Sequence, residues 1–342
     1  MPDQLFLRRG LLRAITVASF VLTSGTCAAE TRPLRVGMIG LDTSHVPAFV
    51  KLFNSPTAAG DLAGLRIVAG YPGGTDMPSS KNRVEKFTDD VRKMGVEIVN
   101  SIPALLEKVD VVLLESVDGR VHLEQAIPVI KAGKPLFIDK PAAGSLADVI
   151  VIFELAEKHN VPCFSTSSLR YVPGIQGVKK NPELGTVAGV LTWGSCTFQE
   201  GILEMAYYGI HGIEPLFALL GTGCETVTRV ATKDADVVSG VWQDGRVGTY
   251  RGIRNNSAGW GAVIFGSKAI VPITRGGGYD ELCHAIGRFF KTRKSPVSAD
   301  ETIEIFAFME AADESKRRGG APVALAAVLA KAKIDAATKM PR

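Results

Sequence analysis

The sequence predicts an α/β protein in which a doubly wound parallel sheet is followed by an α+β domain with a mainly antiparallel open sheet. Three observations predict it. Short, near-continuous apolar strands alternate with helix-length segments from residue 33 to about 167, the signature of βαβ units in a sheet covered on both faces. The first strand ends in glycine just before a helical pattern, as a strand-turn-helix unit requires. After Arg170 the β-rich segments follow one another without helices between them, which suits antiparallel pairing.

Taken in order, Leu34 to Gly40 is the opening strand and 46–53 the helix behind it. Strand patterns recur at 65–70, 96–99, 109–115, 135–139 and 162–165, and helical spacing falls between them at 84–94, 102–108, 122–132 and 146–159. In the second half 186–197, 225–232, 237–242, 246–254 and 262–273 are β-rich, with Asp244-Gly245 as a turn signal. Helical patterns at 204–220, 279–292 and 299–317 are expected to pack on one face of that sheet, and the Ala-rich stretch 321–337 is a good helix former. The expected division is 1–29 as a signal peptide, 33–167 as the first domain, 168–325 as the second, and 326–342 as a C-terminal helix and tail.

Composition excludes more than it selects. At 342 residues the chain exceeds what one hydrophobic core usually serves. With 46% hydrophobic and 22% charged residues it is neither disordered nor a membrane bundle. A net charge of +4 without a basic stripe gives no case for nucleic acid. Arg8 and Arg9, an apolar run from Ala14 to Leu22 and small residues up to Ala29 follow the order of an export signal. The run is too short for a stable membrane span, so the mature chain is expected outside the cytoplasm, periplasmic or extracytoplasmic. The arginine pair suits the twin-arginine route; an ordinary secretory signal, or lipidation at Cys27, are the alternatives. Cys163, Cys196, Cys224 and Cys283 show neither a CxxC pair nor a zinc-site spacing, so they read as buried free thiols and no metal is expected.

A dinucleotide fingerprint wants glycine at three places, for the tight turn, for close approach of the pyrophosphate and for helix-strand packing. The segment in register is Gly40-Leu41-Asp42-Thr43-Ser44-His45, which keeps only Gly40. Asp42 admits two readings. A carboxylate facing the pyrophosphate would cost roughly 4 kcal/mol at about 4 Å in an effective dielectric near 20; a carboxylate turned to the following helix would be its N-cap. At the end of the second strand Tyr71 stands where an NAD-preferring chain carries an acid, and either Asp76 or, for NADP, the polar run Ser79 to Arg83 lies close by. The choice between NAD and NADP stays open.

Four further motifs are distinctive: Gly133 to Pro141, ending Asp139-Lys140-Pro141; Leu114 to His122; Leu169-Arg170-Tyr171-Val172-Pro173; and Tyr207-Tyr208-Gly209-Ile210-His211 before an apolar run ending Leu219-Leu220-Gly221. Through them the chain, from Arg35 to the C-terminus, resembles the glucose-fructose oxidoreductase / inositol dehydrogenase / MocA (Gfo/Idh/MocA) oxidoreductase family, as a divergent and exported member. The resemblance implies a Rossmann-type first domain holding NAD or NADP against Gly40, Asp42, Thr43, Ser44, Tyr71 and Ser116. It places Lys140 beside the nicotinamide and the substrate hydroxyl, and His211 at a catalytic or substrate-binding position. Tyr207, four residues earlier on the same helix face, replaces the family's usual Asp. Arg170, Tyr171 and His122 are the remaining substrate-side candidates, with an interdomain salt bridge as the other reading of Arg170 and a helix-start role as that of His122.

The chemistry expected is hydride exchange between a nicotinamide and a sugar, polyol or related hydroxy compound, with Lys140 exchanging the alcohol proton. The alternatives are an NAD-using glycosidase, or a sugar-binding or assembly protein that has lost the cofactor. A homo-oligomer formed through the open sheet is the expected assembly.

Overall fold

The computed structural model describes residues 32–341 other than 179, 256–258 and 275; the export signal expected at 1–29 lies outside the described residues. The first half runs β1 (Leu34–Ile39), α1 (His45–Phe53), β2 (Leu65–Tyr71), α2 (Pro78–Lys81), α3 (Val84–Lys93), β3 (Glu97–Ile98), α4 (Ile102–Leu106), β4 (Val111–Leu114), α5 (His122–Lys131), β5 (Leu136–Asp139), α6 (Leu146–Lys158) and β6 (Cys163–Thr166). The six strands are all parallel in the order β3-β2-β1-β4-β5-β6. β4 and β5 are buried along their whole length, as strands covered on both faces must be. Ser101 and Ser145 cap α4 and α6 by accepting the N–H of Ala104 and Asp148. Strand order reverses between β1 and β4, and such a switch point opens a crevice at the C-terminal strand ends.

The second half runs α7 (Pro173–Val178), β7 (Val187–Ser195), α8 (Ile210–Leu220), β8 (Cys224–Ala231), β9 (Ala235–Trp242), β10 (Val247–Ile253), β11 (Gly261–Gly266), β12 (Ile270–Ile273), α9 (Asp280–Thr292), α10 (Ala299–Arg317), β13 (Val323–Ala324) and α11 (Leu325–Lys339). Its seven strands lie in the order β12-β11-β7-β10-β9-β8-β13, antiparallel throughout except for the central pair β7 and β10. α8 and α10 cover one face of this sheet. Val230, Val241, Val247, Phe265 and Ile270 remain exposed on its strands.

Two expectations are corrected. α9 does not join α8 and α10: Leu282, Cys283, Ile286, Phe289 and Phe290 pack with Val36, Met38, Phe137 and Phe164 of the parallel sheet. Its apolar face meets α1 and the turn at Gly60 to Leu62, so a helix late in sequence completes the early core. Helix 204–220 begins only at Ile210, because 204–209 form turns. Beyond these, α11 packs on α6 of the first half, and Lys339 pairs with Asp148 at 2.7 Å. The four described cysteines are buried free thiols, as the sequence predicts, and among the described residues no helix is long and apolar enough to cross a membrane.

Candidate active site

The end of β1 touches the loop after β4. Gly40 has φ +83°, and a Cβ there would lie 2.2 Å from Ser116 Oγ, so only glycine fits. Asp42 follows, fully buried; the Val117 N–H donates to its Oδ1 at 2.8 Å and the Ser80 hydroxyl to its Oδ2 at 2.6 Å. Burial pushes its pKa up while these two donors oppose the shift. Both sequence readings of Asp42 are thereby corrected. Its oxygens are turned into the protein, and the N-cap of α1 is Ser44, which makes no side-chain capping bond. Thr43 is buried and Ser44 exposed at the helix start. Tyr71 is half-buried at the end of β2, and Asp76 is taken by Arg120 at 2.6 Å.

Two other candidates are structural. The Ser116 hydroxyl is buried and donates to Gln125 Oε1 at 2.8 Å inside the fold. His122 is fully buried with Nε2 2.7 Å from the Ser116 carbonyl and Nδ1 3.2 Å from the Ala142 carbonyl. It ties the loop after β4 to the loop after β5 and offers no nitrogen to a substrate.

The strand ends carry ionisable groups. His45, first residue of α1, stands at the fingerprint's third glycine position and directs Nδ1 to Asp139 Oδ2 at 2.6 Å. Its ring stacks on Phe49 and meets Tyr279 at 4.5 Å. Glu115, just past β4, is fully buried, and neither carboxylate oxygen has a hydrogen-bond partner. Burial, and then the Asp139 charge, push its pKa well above the usual carboxylate range. Burial works the same way on Asp139, but His45 together with Lys140 opposes it and holds Asp139 low. Lys140 is buried beside them; desolvation lowers its pKa against the pull of Asp139 and Glu115. Its ammonium lies over the Tyr208 ring at 5.7 Å.

His211 opens α8 on the other wall. Gly212 beside it lets α8 sit on β10, since a Cβ there would be 2.2 Å from Tyr250 Cε2. The His211 Nδ1 is 2.7 Å from Ser167 Oγ, and desolvation, followed by the Lys140 and His45 charges, keeps its pKa well below the ordinary histidine value. Its aromatic neighbour is Tyr208, edge-on at 5.9 Å. Tyr207 is not its helical partner: it precedes the helix and packs on Met77 and Val117. A cleft of about 380 Å³ opens here, lined by Ser168, Gly194, Tyr208, His211, Trp260 and Tyr279.

Arg170 and Tyr171 face away from this cleft and line a separate pocket with Arg288 and Lys294. Arg170 is buried with Nε 2.6 Å from Glu214 and Nη2 2.6 Å from Glu301, the salt-bridge reading rather than the substrate reading. Sequence reasoning missed His45, Glu115, Tyr208, Trp260 and Tyr279. The available signal was His45 itself, a large side chain at a glycine position.

Residues 77–167 match the oxidoreductase family GFO_IDH_MocA, with NAD-binding Rossmann fold. No curated protein sequence matches the chain. Among solved structures, a probable dehydrogenase from Thermotoga maritima is 20% identical, with a TM-score of 0.68 over 86% of this chain and 100% of its own. Scyllo-inositol dehydrogenase from Lactobacillus casei, solved with NAD(H) and scyllo-inositol, is 14% identical with a TM-score of 0.67, covering 86% and 99% of the two chains. Myo-inositol 2-dehydrogenase from Lactobacillus plantarum is 17% identical with a TM-score of 0.69 over 85% and 99%. At these identities the likeness is one of fold.

Proposed function

We propose that this chain, a member of the Gfo/Idh/MocA oxidoreductase family, is an NAD(P)-dependent oxidoreductase of a sugar, polyol or related hydroxy compound. One observation carries the reading. Lys140 and His211, a proton acceptor and a polarising imidazole, flank the same Tyr208 ring at the C-terminal ends of the parallel strands, where open α/β sheets bind ligands.

The residues present fit a dinucleotide. Gly40 keeps the tight turn after β1, the N-cap Ser44 makes no side-chain bond at the start of α1, where the His45 N–H lies 3.5 Å from Thr43 Oγ1, and the Asp42 carboxylate is withdrawn from that helix end. When bound, the nicotinamide supplies the hydride acceptor. The chain's own groups do the rest. Tyr208, Trp260 and Tyr279 give apolar faces on which the C–H side of a polyol can lie. His211, with Nδ1 engaged by Ser167, turns its remaining nitrogen to the substrate oxygen, and Lys140 Nζ takes the hydroxyl proton.

The test is to release and identify nucleotide from purified protein by mass spectrometry, then follow reduction of NAD and NADP with a panel of inositols and aldoses. Turnover of a polyol supports the reading. No nucleotide in the protein, no binding of either nucleotide by calorimetry and no turnover overturn it. We also propose export of the mature chain by the twin-arginine route, supported by the order of basic, apolar and small residues in 1–29. Arg8→Lys with Arg9→Lys should abolish export, and normal export of that variant would assign the general secretory route.

A further inference from the structure

We propose that His45, Glu115 and Asp139 form a binding site for one divalent first-row transition ion, of the Mn²⁺ or Zn²⁺ class. One ligand atom from each of the three lies within 4.8 Å of the others, and all three residues are buried. Small side-chain shifts from this spacing reach the 2.0–2.2 Å at which such ions are held by imidazole and carboxylate.

Unsatisfied chemistry argues that a cation belongs there. Glu115 is fully buried and both of its oxygens lack any partner, as does Asp139 Oδ1. A carboxylate stripped of water and left unpaired is strongly unfavourable, and buried acids are ordinarily paired or bind metal. His45 faces one oxygen of Asp139 and leaves Glu115 unserved. The Lys140 ammonium is attracted by both acids, yet it forms no ion pair with either and lies over the Tyr208 ring. A divalent ion bound through one atom of each of the three residues balances the two acids and gives Glu115 the partner it lacks.

Rigid elements hold the ligands. His45 begins α1, Glu115 follows β4 and Asp139 ends β5, so all three come from the C-terminal side of the sheet where its strand order reverses. Stacking on Phe49 and contact with Tyr279 fix the imidazole plane, the kind of outer support that orients a ligating histidine. One nitrogen with two carboxylate oxygens suits borderline ions better than Mg²⁺ or Ca²⁺, which prefer all-oxygen shells. Tyr279 also walls the cleft, so the ion would sit directly behind it. This site stands whether or not the dehydrogenase reading holds.

The experiment uses the full mature protein, stripped with a chelator and dialysed. Mn²⁺ and Zn²⁺ are then titrated by calorimetry, with bound metal counted by mass spectrometry and the thermal midpoint followed alongside. The expected result is one ion per chain, a raised midpoint, and affinity in Glu115→Gln reduced by more than the roughly 10–100-fold that losing an outer-shell partner costs. His45→Gln, which keeps both acids, should lose the ion in the same way, while far-UV circular dichroism and a cooperative thermal transition report that the fold persists. No ion bound by the wild type, or equal affinity in wild type and Glu115→Gln, overturns the proposal.

Discussion

His45 Nδ1 lies 2.6 Å from Asp139 Oδ2, which fastens the first residue of α1 to the last residue of β5 across the point where strand order reverses. A side chain thus fills a place that the dinucleotide fingerprint keeps for glycine.

Lys140 is the group on which enzymatic turnover should depend. General acid-base help is worth roughly 10²–10⁴-fold, so Lys140→Met should lower kcat by about that factor and leave nucleotide affinity within about tenfold. Lys140→Arg should rescue little, since a guanidinium does not release its proton near neutral pH. Steady-state kinetics with the identified polyol, beside nucleotide calorimetry, checks both. Wild-type turnover by Lys140→Met would move the proton to His211.

Asp42 should matter for stability rather than for phosphate repulsion. Asp42→Gly removes the acceptor of the Val117 N–H and of the Ser80 hydroxyl in a fully buried place. The expected loss is about 2–4 kcal/mol in urea unfolding, with nucleotide affinity changed by less than about tenfold. Tightening by more than that would show a carboxylate facing the nucleotide after all.

Arg170 should behave as a strut. Arg170→Met leaves the buried Glu214 without its partner, which typically costs about 3–5 kcal/mol. Adding Glu214→Leu should recover part of it, because apolar residues can replace a buried pair, while Glu301, the second partner of Arg170, stays unpaired. Per folded molecule, KM should stay at the wild-type value, and a raised KM without lost stability would return Arg170 to the substrate.

Acid should weaken the fold through His122. Burial lowers its pKa, with Asp139 and Asp42 pulling the other way. An unfolded histidine titrates near about 6.5, so below that pH the unfolded chain binds the extra proton. Stability is full above about pH 6.5 and falls as pH drops, by at most about 1.4 kcal/mol per pH unit for this group. Urea midpoints at about pH 7.5 and 5.5 should therefore differ more in the wild type than in His122→Gln. An identical difference would mean that His122 is already charged in the fold.

Local pattern was enough for the strands and for part of the site. The apolar runs that became β1, β4 and β5 have one solution, a sheet covered on both faces, and periodicity alone reads it. Lys140 and His211 were proposed through motifs that resemble the family's, and the structure brings both beside the Tyr208 ring. The direction of a side chain was not legible. Asp42 turns inward because Val117 and Ser80, far away in sequence, supply its donors. Tyr207 leaves the imidazole because the helix starts three residues later, at Ile210. α9 crosses to the parallel sheet because its apolar face completes the core around Phe137 and Phe164. His45, Glu115 and Asp139 meet only once β1, β4 and β5 lie side by side. The sequence by itself determined which segments are strands and helices, since that follows from period and propensity. Only the tertiary structure decided which charges are buried together, because burial and pairing depend on distances across the sheet that no spacing along the chain encodes.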